Sequence, residues 1–259
     1  MQNLKVAFIQ SNLIWHNAEE NRKKFTQKIN LISEKVDLII LPEMFTTGFS
    51  MQPENISETM QGETVQWMKK FASLKNTVIT GSIIIKENEA YFNRLLFVHP
   101  SGEVEIYNKR HLFSLAGEDK VYKAGTEKKI FNVKGWKICP QICYDLRFPV
   151  FARNTENYDL LFYVANWPKQ RINAWDALLK ARAIENMSYV VGVNRVGKDA
   201  NNFEYNGHSA AYDCLGEEIS KTKLGEEDTV ILTLDKNYMD EVRNKLNFLK
   251  DKDSFEIKN

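Results

Sequence analysis

Residues 5–43 read KVAFIQSNLIWHNAEENRKKFTQKINLISEKVDLIILPE. Two short runs of branched apolar residues, 6–9 and 38–41, are bounded by polar ones and read as buried strands. The stretch between them has a different period. Phe25, Ile29, Ile32 and Val36 recur at helical spacing, the stripe by which a helix buries one side. Asn17 followed by Glu20 fits a capping box, so a helix is predicted over 17–35. Strand, helix and strand in that order favour parallel pairing, with the helix crossing one face of the sheet. Glu43 then stands just past the carboxyl end of a fully apolar strand.

The same alternation continues along the chain. A second helix is predicted over 64–75, with Trp67, Met68, Phe71 and Leu74 on its inner side. Strands follow at 77–85, 91–99 and 103–107, the last two joined as a hairpin by the tight turn Pro100-Ser101-Gly102. Further strands fit 136–142, 160–165, 189–193 and 229–234, and a helix fits 173–187. No repeat, low-complexity tract or Pro/Gly/Ser linker interrupts the pattern, so one α/β domain is expected over 1–259. From about residue 237 the chain is charged, with Val242, Leu246 and Leu249 as its apolar residues. That segment fits a surface helix or an arm laid on a second subunit.

Composition excludes several classes of function. A chain of 259 residues with 43% hydrophobic side chains can bury roughly 70–75% of its unfolded surface. Its 35 Lys and Arg balance 34 Asp and Glu, leaving no long-range field to hold a nucleic acid or an anionic membrane. Three cysteines, Cys139, Cys143 and Cys214, are the wrong number for a disulfide framework. The opening residues lack a signal-peptide pattern, and their apolar run falls short of the ~20 residues of a membrane span. A reducing, cytoplasmic setting is expected. His16, His99, His111 and His208 are scattered, so no metal site is expected. Without a Walker A or Gly-x-Gly-x-x-Gly pattern, no cofactor is expected either. Gly207-His208-Ser209 superficially matches a serine-hydrolase elbow, but no histidine follows His208 to complete a triad. His208 and Ser209 are instead expected on a strand that faces the core.

Three segments carry chemistry. In Ile142-Cys143-Tyr144-Asp145-Leu146-Arg147-Phe148-Pro149, a cysteine stands where an apolar strand ends and Pro149 can open a helix. A thiolate there could be stabilised by backbone N–H groups and cations, although a lone cysteine is by default a small buried hydrophobe. In Leu38-Ile39-Ile40-Leu41-Pro42-Glu43 a carboxylate sits at the sheet's carboxyl edge, where ligands of α/β sheets gather. In Tyr107-Asn108-Lys109-Arg110-His111-Leu112-Phe113, a lysine follows a strand and could meet a developing oxyanion. Glu118 is placed to pair with it. Each segment alone has a bland reading as a packed thiol, a capped loop or a solvated turn.

Taken together and in this order, these segments resemble the nitrilase, or carbon–nitrogen hydrolase, superfamily. The resemblance continues through Ala165-Asn166-Trp167-Pro168, Arg182-Ala183-Ile184-Glu185-Asn186 and Gly207-His208-Ser209. It implies an α-β-β-α sandwich, a homodimer to which the helix over 175–187 contributes, and a triad of Glu43, Lys109 and Cys143 with Glu118 as auxiliary glutamate. In the implied mechanism Cys143 attacks an amide carbon, Glu43 moves the protons, and Lys109 and the Tyr144 backbone N–H hold the oxyanion. Two departures stand out. Cys139 occupies a position where many relatives carry glycine, and Val150 one where many carry glutamate.

Residues 43–51 with Asn194-Arg195-Val196-Gly197 look most like the omega-amidase branch. That likeness implies hydrolysis of the side-chain amide of 2-oxoglutaramate or 2-oxosuccinamate. The same triad also suits nitrile and N-carbamoyl substrates, and a non-catalytic binding relative is the reading from another class. For a short keto dicarboxylate monoamide, Arg147 is a candidate for the distal carboxylate, with a structural ion pair as its alternative. Phe45 and Trp167 are candidate pocket walls, with core packing as theirs.

Overall fold

The computed structural model describes residues 2–257. Its first sheet is laid down by β1 (Leu4–Gln10), β2 (Leu38–Ile40), β3 (Val78–Glu87), β4 (Ala90–Val98) and β5 (Val104–Asn108). Helix α1 (Ala18–Leu31) joins β1 to β2, and α2 (Glu63–Lys75) leads into β3. A short helix, α3 (Glu118–Val121), precedes the second sheet, formed by β6 (Phe131–Val133), β7 (Trp136–Ile142), β8 (Leu160–Ala165) and β9 (Tyr189–Asn194). Helix α4 (Pro149–Ala152) follows β7, and α5 (Ile172–Asn186) crosses from β8 to β9. A small hairpin, β10 (Val196–Lys198) with β11 (Glu204–Asn206), comes next, then β12 (Ala210–Tyr212), β13 (Asp228–Leu234) and α6 (Lys236–Leu246).

The six-stranded sheet runs β13-β1-β2-β3-β4-β5 and the five-stranded sheet β12-β9-β8-β7-β6. The strand–helix units pair parallel as the alternation requires: β1 with β2, β2 with β3, β7 with β8 and β8 with β9. The hairpins and edges are antiparallel. Period-two alternation then sorts the core into layers. Val6, Phe8, Leu38 and Ile40 of one sheet meet Ile138, Ile142, Phe162 and Val164 of the other between the sheets. Ala7, Ile9, Ile39 and Leu41 point the opposite way, onto Phe25 and Ile29 of α1 and Met68 and Phe71 of α2. Cys139, Leu161 and Tyr163 face Trp175, Leu179 and Ala183 of α5. The result is the α-β-β-α sandwich. Among the described residues, no helix is long and apolar enough to cross a membrane.

Element boundaries shift where local chemistry overrides periodicity. Asn17 does cap α1, accepting the Glu20 N–H at 3.1 Å, but the reciprocal half of the box is absent, because Asn17 N–H goes to Ile14 O. The helix stops at Leu31 rather than 35, where Ile32 turns extended (ψ 102°). Ile32 and Val36 still reach the core from the loop. In α2, Leu74 is 67% exposed: the buried side of the helix runs through Val65, Met68, Phe71 and Ala72, and Leu74 falls on its flank. His208 and Ser209 lie just ahead of β12, not on a strand, and Ser209 serves the backbone, its hydroxyl accepting the Asn194 N–H at 2.9 Å. Helix α6 is capped by Asp235 and packs on its own chain, Arg243 reaching Asp159 and the carbonyls of Tyr158 and Met187.

One glycine fixes the approach of two segments beside Lys109. The Gly125 N–H donates to Lys109 O at 2.8 Å, and a Cβ on Gly125 would stand 2.2 Å from the backbone oxygen of Asn108. Backbone cannot swing aside as a side-chain tip can. Gly125→Ala is therefore expected to cost about 1–3 kcal/mol of unfolding free energy in urea titrations and to lower activity with it. An unchanged midpoint would contradict this packing.

Candidate active site

Every chemistry-bearing segment leaves its strand at the same end of the sandwich. Glu43 follows β2, Lys109 follows β5, Cys143 follows β7 and Asn166 follows β8. The two sheets meet there, so groups far apart in sequence converge. Glu43, Lys109 and Glu118 are all buried, at 0%, 1% and 0% exposure. The Lys109 ammonium donates to Glu43 Oε1 at 2.9 Å and to both Glu118 oxygens at 3.0 and 2.9 Å. Three carboxylate oxygens from two residues thus stand around its charge.

The carboxylates are held from other sides as well. The Asn93 amide on β4 donates to Glu43 Oε1 at 2.8 Å and to Glu118 Oε1 at 3.3 Å. Phe113 N–H donates to Glu118 Oε2 at 2.6 Å. From the other sheet, Asn166 gives its backbone N–H to Glu43 Oε2 at 2.8 Å and its side-chain N–H to Glu43 O at 2.7 Å. Glu43 is therefore a bolt across the seam between the sheets.

Electrostatics in this buried cluster are set by burial and by two anions facing one cation. Burial alone would lower the Lys109 pKa, but the Glu118 and Glu43 carboxylates outweigh it and raise it, so the ammonium stays charged. Glu118 is pushed up by burial and by the Glu43 charge, against the pull of Lys109 and the Phe113 N–H. Cys143 is pushed well above the ordinary thiol range, first by burial, then by the Glu43 carboxylate to which the thiol hydrogen-bonds, with Lys109 opposing. With burial and the neighbouring carboxylate both disfavouring the thiolate, Cys143 rests as a thiol.

Cys143 opens a 3₁₀ turn over Cys143–Arg147 and adopts a left-handed backbone, φ 46°. For a non-glycine residue that conformation costs about 1–2 kcal/mol and persists only where its surroundings enforce it. Asp145 does the enforcing. Fully buried, it accepts the Ile142 N–H at 2.9 Å, the Tyr107 hydroxyl at 2.7 Å, the His111 N–H at 2.9 Å and His111 Nδ1 at 2.8 Å. The His111 ring lies flat on Phe148, with centroids 3.7 Å apart. The Cys143 turn is thereby pinned to the segment that carries Lys109.

Cys143 and Lys109 look into a cavity of about 640 Å³. Tyr144, Arg147 and Trp167 also line it, as do Phe49 and Phe113. Arg147 lies over the Trp167 ring, its guanidinium carbon 4.8 Å from the centroid, and among the described residues no carboxylate pairs with it. Phe45 does not reach the cavity. Met44 is left-handed (φ 43°), which turns the Phe45 ring to the far side of the sheet, against Phe25 and Trp67; its place is the core.

Sequence reading assigned no role to Asn93, Asp145 or Asn166. Asp145 and Asn166 lay inside the quoted segments, and Asn93 left one trace, a polar residue interrupting the apolar run of β4.

Removing the Asp145 carboxylate leaves the Ile142 and His111 N–H groups and the Tyr107 hydroxyl without their acceptor. Asp145→Ala is expected to lose about 3–5 kcal/mol of stability, and Asp145→Asn clearly less. Denaturant titration of the two variants checks this; equal, small losses would show that the turn is held by something else.

Residues 5–244 match the carbon-nitrogen hydrolase family. The omega-amidase YafV of Escherichia coli K12 is 41% identical over 257 residues, covering 99% of this chain and 100% of that protein. The 2-oxoglutaramate amidase of Bacillus subtilis is 32% identical, covering 87% and 88%. Among solved structures, XC1258 from Xanthomonas campestris, a CN-hydrolase superfamily protein with an arsenic adduct in its active site, superposes with a TM-score of 0.97 at 40% identity over 100% of both chains. The chain belongs to the carbon-nitrogen hydrolase family and is a hydrolase of carbon–nitrogen bonds.

Proposed function

We propose that the chain is an omega-amidase, acting as one domain that releases ammonia from the side-chain amide of a short keto dicarboxylate monoamide, 2-oxoglutaramate or 2-oxosuccinamate. The observation that carries this reading is the buried Glu43–Lys109–Glu118 cluster, with Lys109 and Cys143 both lining one cavity that also holds an arginine paired with no carboxylate among the described residues. Both named amidase relatives support it.

In the proposed reaction Glu43 takes the thiol proton as Cys143 sulfur bonds to the amide carbon. Charge moves to the amide oxygen, which meets the Lys109 ammonium and the Tyr144 backbone N–H. That N–H lies in the first turn of a 3₁₀ segment, where backbone donors lack partners within the turn. Because thiolate is itself a good leaving group, the intermediate collapses forward only if nitrogen is protonated. Glu43 returns the proton, the C–N bond breaks, ammonia departs and a thioester remains. Water, losing a proton to Glu43, adds to the thioester. The acid leaves and the thiol is restored. Glu118 keeps Lys109 charged and aimed throughout. No step needs a cofactor.

Arg147, supported on Trp167, is proposed to face the distal carboxylate, a fork matched to a planar anion. Three free cysteines support a reducing, cytoplasmic setting. Exposed Ile184 on α5 and Leu215 in the turn beside it support a homodimer, for which light scattering is expected to give twice the chain mass at micromolar protein.

Lys109→Ala, with its folding checked by circular dichroism, is expected to lower kcat about 10²- to 10³-fold, the usual consequence of deleting one oxyanion donor. The substrate class is tested by a panel of 2-oxoglutaramate, 2-oxosuccinamate, simple aliphatic amides, nitriles and N-carbamoyl amines. Ammonia release is expected to be fastest from the two keto acid amides. Release from 2-oxoglutaramate no faster than from an aliphatic amide would sink the proposal.

A further inference from the structure

We infer that Arg171 joins Arg147 in a two-guanidinium receptor on the cavity wall, one that reads the carboxylate and 2-oxo end of the substrate and turns away the corresponding 2-amino amides. The inference rests on the amidase reading above and assigns its selectivity to a residue the catalytic cluster does not use.

Four charged side chains line the cavity: Lys109, Arg147, Arg171 and Asp199. Two of them are committed elsewhere. Lys109 is held by Glu43 and Glu118. Asp199 closes its own loop, accepting the N–H groups of Asn201 and Phe203 at 2.9 and 3.0 Å and the Tyr205 hydroxyl at 2.8 Å. Neither arginine, by contrast, has a carboxylate within pairing distance among the described residues. Elsewhere in the fold arginine heads are paired with acids, as Arg22, Arg94, Arg182 and Arg243 are, or bound to carbonyls, as Arg195 is.

Both guanidinium groups are supported by rings. Arg147 stands 4.8 Å over Trp167, and Arg171 stands 5.1 Å over Phe113. The two are also tied to one another, since Trp167 Nε1–H donates to the Arg171 carbonyl at 2.8 Å. One indole therefore carries the Arg147 head and anchors the Arg171 backbone. Stacking holds a planar fork at little further entropic cost and leaves its edge N–H groups for a ligand.

A keto dicarboxylate monoamide presents only acceptors at the end remote from its amide, a carboxylate and a carbonyl oxygen. Two guanidinium forks satisfy both. The 2-amino analogue puts an ammonium where the carbonyl stood, a donor and a cation facing two cations. The one cavity-lining carboxylate among the described residues, Asp199, is occupied by its own loop. The chemistry selects for the keto acid and against the amino acid.

The test is steady-state kinetics of the full-length enzyme and its Arg171→Gln and Arg171→Lys variants on 2-oxoglutaramate, glutamine and butyramide. Losing one charge-assisted contact is expected to lower the kcat/KM ratio of 2-oxoglutaramate to butyramide ~10- to 100-fold. The change is expected mainly in KM, with the ratio of 2-oxoglutaramate to glutamine falling as well. Arg171→Lys, which keeps the charge but not the fork, is expected to recover part of both ratios. Ratios unchanged in Arg171→Gln, or losses equal on all three substrates, would overturn the inference while leaving the amidase assignment intact. A wild-type enzyme that does not prefer 2-oxoglutaramate to butyramide would end both.

Discussion

A buried lysine ammonium is the constraint on which the rest of this structure depends. Burying such a charge costs several kcal/mol unless opposite charges meet it, and here Glu43 and Glu118 do so together. Two carboxylates about one cation leave an excess of negative charge. That excess, with burial, keeps the neighbouring Cys143 protonated, and the proposed mechanism has Glu43 take that proton as the substrate is attacked. The same cluster orders the architecture. Glu43 is bonded to Lys109 in its own sheet and to Asn166 in the other, so the register of the sandwich and the geometry of the site are one problem.

Cys143 is placed by a second buried anion. Asp145 collects four donors from the Cys143 turn and the Lys109 segment and holds Cys143 in a backbone conformation a free chain would rarely adopt. Each of the two segments thus depends on the other for its shape. Stability and function share residues here, and changes at Tyr107 or His111 will affect both. The cavity is built differently: its walls are aromatic rings and stacked arginines, and its cations are left for a ligand.

Much of this was legible in the sequence. Short apolar runs and helical spacing located the strands and main helices, because strands covered on both faces leave continuous apolar stretches. Glu43, Lys109 and Cys143 stood out as strand-end residues, and parallel strands bring such ends to one edge. What stayed hidden was side-chain direction in irregular backbone. Phe45, next but one to Glu43, goes to the helix side because Met44 is left-handed, a turn no propensity announces. Leu74 lies on the flank of the buried stripe of α2 and stays exposed. Asn93 and Asp145 act through bonds that close only in the folded chain. Arg171 sits in an ordinary polar stretch, and its interest lies in partners it lacks.

The central claim is that Cys143 is the atom-bonding nucleophile and not a packed thiol beside the site. It is tested most directly by ammonia release from 2-oxoglutaramate in purified Cys143→Ala protein whose melting curve confirms folding. The mechanism predicts release at the uncatalysed rate, since neither Glu43 nor Lys109 can form the thioester. Turnover within tenfold of the native enzyme would contradict it.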